Sequence, residues 1–183
     1  MIIVALVGMT GAGKSEAAHF FTEMGFAKIR FGDITDQEIQ RRGLILNEEN
    51  ERAVREGFRK EHGMAAYAIL NLPRIEQARK TSPVIIDGLY SWEEYKILKD
   101  YFGADFSVAA VYASPQTRYQ RLEIRQVRPL TSAEAAGRDE AEITNINKGG
   151  PIAIADYTIV NEGTIADLEE EVQKAFAFLT EAK

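Results

Sequence analysis

Apolar residues follow two rhythms along the chain. Ile2 to Val7, Pro83 to Ile86 and Phe106 to Ala113 are unbroken or nearly unbroken apolar runs, the pattern of parallel strands covered on both faces. Phe26 to Phe31 is shorter and alternates imperfectly, and Tyr157 to Val160 closes the series. The stretches between repeat at helical spacing. From Lys14 to Met24, the residues Ala17, Phe20, Phe21 and Met24 share one face, and Gly25 stops the helix. His19 falls off that face and reads as a surface residue. Ser91-x-x-Glu94 and Thr131-x-x-Glu134 are capping boxes opening helices to about Phe102 and Ile146. Ser114-Pro115 starts another helix, and Asn147 to Pro151 reads as a loop. After the Thr164 cap, Ile165, Leu168, Val172, Phe176 and Leu179 form the inward stripe of a C-terminal helix.

Between the second and third strands the rhythm is helical throughout. It gives Ile34 to Arg42, then Glu48 to His62 behind an Asn47 cap, then Met64 to Asn71. Pro73 forces a break or a fresh start before Arg74 to Lys80. About fifty residues without a strand exceed a simple crossover and predict a helical insert, about 33–82. The alternation predicts an α/β fold, a parallel sheet with helices on both faces, with residues 1–183 forming a single domain.

One junction departs from ordinary turn chemistry. Gly8-Met9-Thr10-Gly11-Ala12-Gly13-Lys14-Ser15 joins the first strand to the first helix. Strand, glycine turn, helix is the setting of a phosphate-binding loop. Glycines let the backbone turn tightly and aim its N–H groups inward, and the helix start adds the positive end of its dipole. Lys14 then reaches the β- and γ-phosphates, and the Ser15 hydroxyl ligates Mg2+. A glycine turn with an ordinary lysine is the plainer alternative; the flanking strand and helix favour the loop.

Two acids share that rim. Gly32-Asp33 follows the second strand and Asp87-Gly88 the third, and ligands of open α/β sheets sit beyond the carboxyl ends of the strands. Asp87 is placed to hold Mg2+, directly or through water. Asp33 is a candidate to accept or orient the proton of an attacking hydroxyl; the alternative is a helix cap. Arg41, Arg42, Arg55 and Arg59 lie in the insert and suit an anionic acceptor, although Glu51, Glu56 and Glu61 can pair with most of them. Arg118, Arg121, Arg125 and Arg128 recur at spacings of three, four and three, with the first three on one helical face. The row suits a phosphate clamp, and a solvated basic face is its alternative.

Composition narrows the classes. A net charge of −6 argues against a general nucleic-acid binder. The chain has no cysteine, so disulfides and thiolate zinc sites are excluded, and its two histidines have no partners at ligand spacing. The N-terminal apolar run lacks a basic leader, and no apolar stretch reaches the length of a membrane span. The expectation is a cytoplasmic protein with a small-molecule partner, and neither nucleic acid nor membrane. A guanine-reading Asn-Lys-x-Asp is missing, since Asn147-Lys148-Gly149-Gly150 lacks the acid.

The loop Gly8 to Ser15, Gly32-Asp33, Asp87-Gly88 and the arginine helix together resemble the P-loop nucleoside and nucleotide kinases. Ala155 to Thr164, ahead of a final helix, is similar to dephospho-CoA kinase and a group of P-loop proteins related to it. That group also has segments like Arg59-Lys60-Glu61-His62-Gly63-Met64 and Arg138-Asp139. The resemblance covers nearly the whole chain. It implies a five-stranded sheet in the order 2-3-1-4-5, an acceptor-binding insert and a short lid over about 118–147. It implies ATP phosphates on Gly8, Met9, Thr10, Gly11, Ala12, Gly13, Lys14 and Ser15, with Asp33 as base and acceptor contact and Arg59 as acceptor-phosphate ligand. Arg118, Arg121 and Arg125 become lid-side clamps, and the backbone from Asn161 to Gly163 lines the adenine pocket. The implied function is an ATP- and Mg2+-dependent phosphotransferase acting on a nucleotide-like small molecule, either dephospho-CoA-like or a nucleoside monophosphate. A nucleotide-dependent ATPase switch is the alternative.

Overall fold

The computed structural model describes residues 1–126 and 129–181. β1 (Ile3–Val7), β2 (Ala27–Arg30), β3 (Val84–Asp87), β4 (Phe106–Tyr112) and β5 (Tyr157–Val160) form one parallel sheet in the order β2-β3-β1-β4-β5. This is the expected order. Every residue of the central β1 is buried, and alternate residues feed opposite layers, as the period of two in a strand requires. Ile3, Ala5 and Val7 pack with α4 (Ala66–Ala78) and α5 (Trp92–Phe102) on one face. Val4 and Leu6 pack with α1 (Lys14–Glu23) and α9 (Ile165–Glu181) on the other. The register sets Leu6 beside Asp87 and Arg30 beside Asp87, so the loop after β1 and the ends of β2 and β3 reach one rim together.

α2 (Asp33–Arg41), α3 (Glu48–His62) and α4 fill the space between β2 and β3 in the chain. The Asn47 side chain caps α3 by accepting from the Asn50 N–H. The break expected at Pro73 does not occur, and α4 runs through it. The proline removes one bond, to the carbonyl of Ile69. Ile69 is exposed, and buried Tyr67, Asn71 and Ile75 hold the helix on either side.

α6 (Pro115–Ile124) and α7 (Ser132–Ile146) follow β4. α6 stops at Ile124 and Arg125 is extended, so Arg118 and Arg121 share the helix while Arg125 leaves it; Arg128 lies outside the described residues. The loop expected over Asn147 to Pro151 is largely helical. Asn147 takes the left-handed conformation that asparagine tolerates, and α8 (Gly149–Ala153) starts directly after Lys148. In α9 the inward stripe is Leu168, Val172, Ala175 and Leu179. Ile165 lies at the margin of that stripe, on the first turn, and is exposed rather than inward. Among the described residues no helix is long and apolar enough to cross a membrane.

Candidate active site

The glycine turn is built around its own backbone. Gly8, Gly11 and Gly13 have φ of 142°, 84° and 98°, values that L side chains rarely adopt. A Cβ on Gly8 would lie 2.3 Å from the Val111 carbonyl oxygen, and one on Gly13 would lie 2.2 Å from Asn161 Nδ2. Asn161 Nδ2 donates to Ala12 O at 2.8 Å, and Asn161 N donates to Tyr112 O at 2.7 Å. The residue after β5 therefore braces the turn from behind. α1 opens with no side-chain cap, which leaves its first N–H groups available to an outside acceptor. An uncapped helix start behind a cradle that any Cβ would fill is a donor set that fits a polyphosphate. Lys14 Nζ donates to Gly8 O at 2.8 Å and Met9 O at 3.1 Å. Burial, helped by the positive charge of Lys148, pushes its amine down to about 7.

Ser15 and Asp87 line one cavity of about 540 Å³, together with Asp36, Arg59, Arg138 and Glu142. Asp87 Oδ2 lies 3.2 Å from Lys28 Nζ. Among the described residues no cluster of three or more His, Asp or Glu is arranged to hold a metal. The Ser15 hydroxyl and Asp87 carboxylate are a donor pair that suits Mg2+ arriving with phosphates, an ion that keeps several waters and takes one or two protein oxygens.

Asp33 stands on the same rim but does not line the cavity. It is the first residue of α2 rather than its cap. Its two oxygens accept from Arg30 Nη1 at 3.3 Å and Arg74 Nη2 at 2.9 Å. Asp36, one turn on, lines the cavity, and its Oδ2 accepts from the same Arg30 Nη1 at 3.0 Å. Arg59 is half-buried in the cavity wall, and among the described residues no carboxylate lies within ion-pair distance of it. Arg55, also in the wall, pairs with Glu48 and Glu51.

The arginines of α6 do not face this cavity. Arg118 is buried and forks onto Asp139 of α7, with Nη1 2.9 Å from Oδ1 and Nη2 2.6 Å from Oδ2. It also donates to Thr10 O and Ala113 O, and Tyr119 Oη donates to Asp139 Oδ2 at 3.0 Å. Arg121 donates to Asn161 O at 3.0 Å and Gly163 O at 3.4 Å, holding the turn after β5. The polar groups that meet the cavity from this side are Arg138 and Glu142 of α7, with Ile146 at the end of the same helix. Their spacing of four was visible in the sequence as a helical pair, but its facing was not. Glu142 Oε1 accepts from Thr10 Oγ1 at 2.8 Å and Arg138 Nε at 3.2 Å, and its Oε2 is 2.5 Å from Lys148 Nζ.

Behind the cavity, the Glu94 carboxylate accepts the N–H groups of Tyr90 at 2.8 Å and Ser91 at 3.1 Å. Burial pushes this carboxyl up to about 7, against those two donors. The folded chain thus keeps a proton that the unfolded chain releases near 4.5, so stability falls as pH rises through that window. Melting wild type and Glu94→Gln from pH 4.5 to 8 should show a falling curve that the substitution flattens; parallel curves would refute this role.

A family model described as an AAA domain matches residues 4–145. A UPF0200 protein of Thermococcus kodakarensis is 36% identical over 177 residues, covering 94% of this chain and 95% of its own. A UPF0200 protein of Pyrococcus furiosus is 33% identical over 188 residues, covering all of both chains. Among solved structures, shikimate kinase from Acinetobacter baumannii in complex with shikimate matches with a TM-score of 0.59 and 16% identity, covering 100% of this chain and 95% of that one. A gluconokinase from Sinorhizobium meliloti matches with a TM-score of 0.58 and 14% identity, covering 99% and 93%. At such identities these neighbours establish the fold, that of the P-loop kinases. With its phosphate loop set in that fold and close relatives spanning its length, the chain belongs to the UPF0200 family and carries an AAA-type P-loop domain.

Proposed function

We propose that the protein is an ATP- and Mg2+-dependent phosphotransferase acting on a nucleotide-like small molecule, either a dephospho-CoA-like compound or a nucleoside monophosphate. The observation that carries this reading is the shared cavity: Ser15 of the glycine turn and Asp87 open onto the same space as Arg59, which has no carboxylate partner among the described residues. A donor phosphate end and an anionic acceptor would meet there. ATP, when bound with Mg2+, supplies the phosphoryl group. The chain's own work is positioning and charge stabilisation. The uncapped start of α1 and Lys14 hold phosphate oxygens, Ser15 and Asp87 hold the metal, and Arg59 holds the acceptor's anionic group. Arg138 donates its Nε–H to Glu142 and lines the cavity, where its guanidinium can meet an anion.

Asp36 then receives or orients the acceptor's proton, and Asp33 acts as a positioning residue that fixes Arg30 and Arg74. Asp36→Asn should lower transfer by about a hundredfold or more with little change in nucleotide affinity, and Asp33→Asn should lower it less. The reverse order would return the base role to Asp33. The function itself is tested by incubating the protein with ATP, Mg2+ and either nucleoside monophosphates or dephospho-CoA. Acceptor-stimulated ATP consumption with a phosphorylated product supports the kinase, whereas hydrolysis indifferent to acceptor supports a nucleotide-driven switch.

A further inference from the structure

The Lys148 side chain is buried, 2% exposed, at the start of α8; burial pulls its amine below the ordinary range, and the Glu142 carboxylate opposes this by favouring the ammonium. Its Nζ contacts Glu142 Oε2 at 2.5 Å and lies 4.7 Å from the centre of the Tyr90 ring. Through its other oxygen the same Glu142 accepts from Thr10 in the glycine turn and from Arg138. An acid is thereby drawn against a loop built for anions. Without a counter-charge it would repel the phosphates that the loop receives, and a buried charge stripped of its partner is strongly unfavourable. Burial alone would raise the Glu142 carboxyl; the charge and hydrogen bond of Lys148, joined by the hydrogen bonds from Thr10 and Arg138, together hold it below its ordinary range. Lys148 does not itself line the cavity.

Resting on the phosphotransferase reading above, we propose that Lys148 is a positioning residue of the nucleotide site. It neutralises Glu142, so that α7 can dock on Thr10 and present Arg138 to the cavity without repelling a polyphosphate. A purely structural pair would affect stability alone, or all nucleotides alike. A neutralising pair affects binding in proportion to phosphate charge.

The test is calorimetry with AMP, ADP and a non-hydrolysable ATP analogue in Mg2+, on wild type, Lys148→Met, Glu142→Gln and the double variant, each checked by thermal melting. Lys148→Met should weaken the ATP analogue about thirtyfold or more, ADP less and AMP little, because it leaves the carboxylate beside the phosphates with only the more exposed Arg138 as counter-charge. The double variant should return to within about threefold of wild type. Equal losses for all three nucleotides, no loss, or no recovery in the double variant would overturn the proposal. If Lys148→Met does not fold, Glu142→Gln decides, since a selective loss of the ATP analogue over AMP in that variant contradicts neutralisation and its absence supports it. Wild type that binds no nucleotide refutes the phosphotransferase reading and this inference with it. Wild type that binds, beside an unaffected Lys148→Met, refutes this inference alone.

Discussion

Lys14→Ala is expected to abolish phosphoryl transfer, lowering turnover by at least about a thousandfold, in a protein that still folds. The Lys14 amine is not a surface charge. It is folded onto the carbonyls of Gly8 and Met9, and burial together with the nearby Lys148 brings its pKa down to about 7. Polyphosphate oxygens reverse that balance by favouring the ammonium. Nucleotide binding at pH 8 should therefore take up a proton, seen by calorimetry in buffers of different ionisation enthalpy, and Lys14→Ala should lose the uptake along with the activity. The effect on stability has the opposite sign from that at Glu94. The folded chain holds this proton less tightly than the unfolded one, so the burden of burying Lys14 is greatest below pH 7 and fades toward 10.5. Turnover that survives the substitution would place the reacting phosphate elsewhere.

The second large effect is on the fold. Arg118→Ala should destabilise the protein by about 3–5 kcal/mol, the usual result of stranding one member of a buried ion pair. Asp139 would lose its forked partner, and the carbonyls of Thr10 and Ala113 would lose their donor. A domain whose total stability is about 5–15 kcal/mol would melt far lower or not fold. Replacing both members with apolar residues, Arg118→Met with Asp139→Leu, should recover much of the loss. If Arg118→Ala instead melts like wild type and loses only turnover, Arg118 is a phosphate clamp after all.

The sheet, its order and the glycine turn were legible because they rest on local rules. β1 is apolar on both faces because helices cover both, and all three glycines of the turn have positive φ, two of them, Gly8 and Gly13, with a neighbour that also forbids a Cβ. The charged groups were harder to read, since a helical spacing gives a face but not what the face meets. The arginine row was visible, but Arg118 turned to Asp139 and Arg121 to the Asn161 carbonyl, partners 21 and 40 residues away. Asp33 was held aside by Arg74, a partner 41 residues on. Of the acid and arginine that do reach the cavity from α7, Arg138 was noticed only through the Arg138-Asp139 resemblance and Glu142 not at all, and Lys148 looked like part of a loop. Pro73 misled because the rule for proline concerns a lost bond, and the packing of α4 tolerated that loss.

The hydrogen bond from Asn161 to Ala12 spans 149 residues. A motif written in eight consecutive letters is thus completed by a letter beyond the last strand of the sheet. During synthesis the turn emerges first, and its buttress follows 149 residues later. Competence to grip a nucleotide would then arrive late and all at once, as a property of the finished topology rather than of the segment that bears its signature.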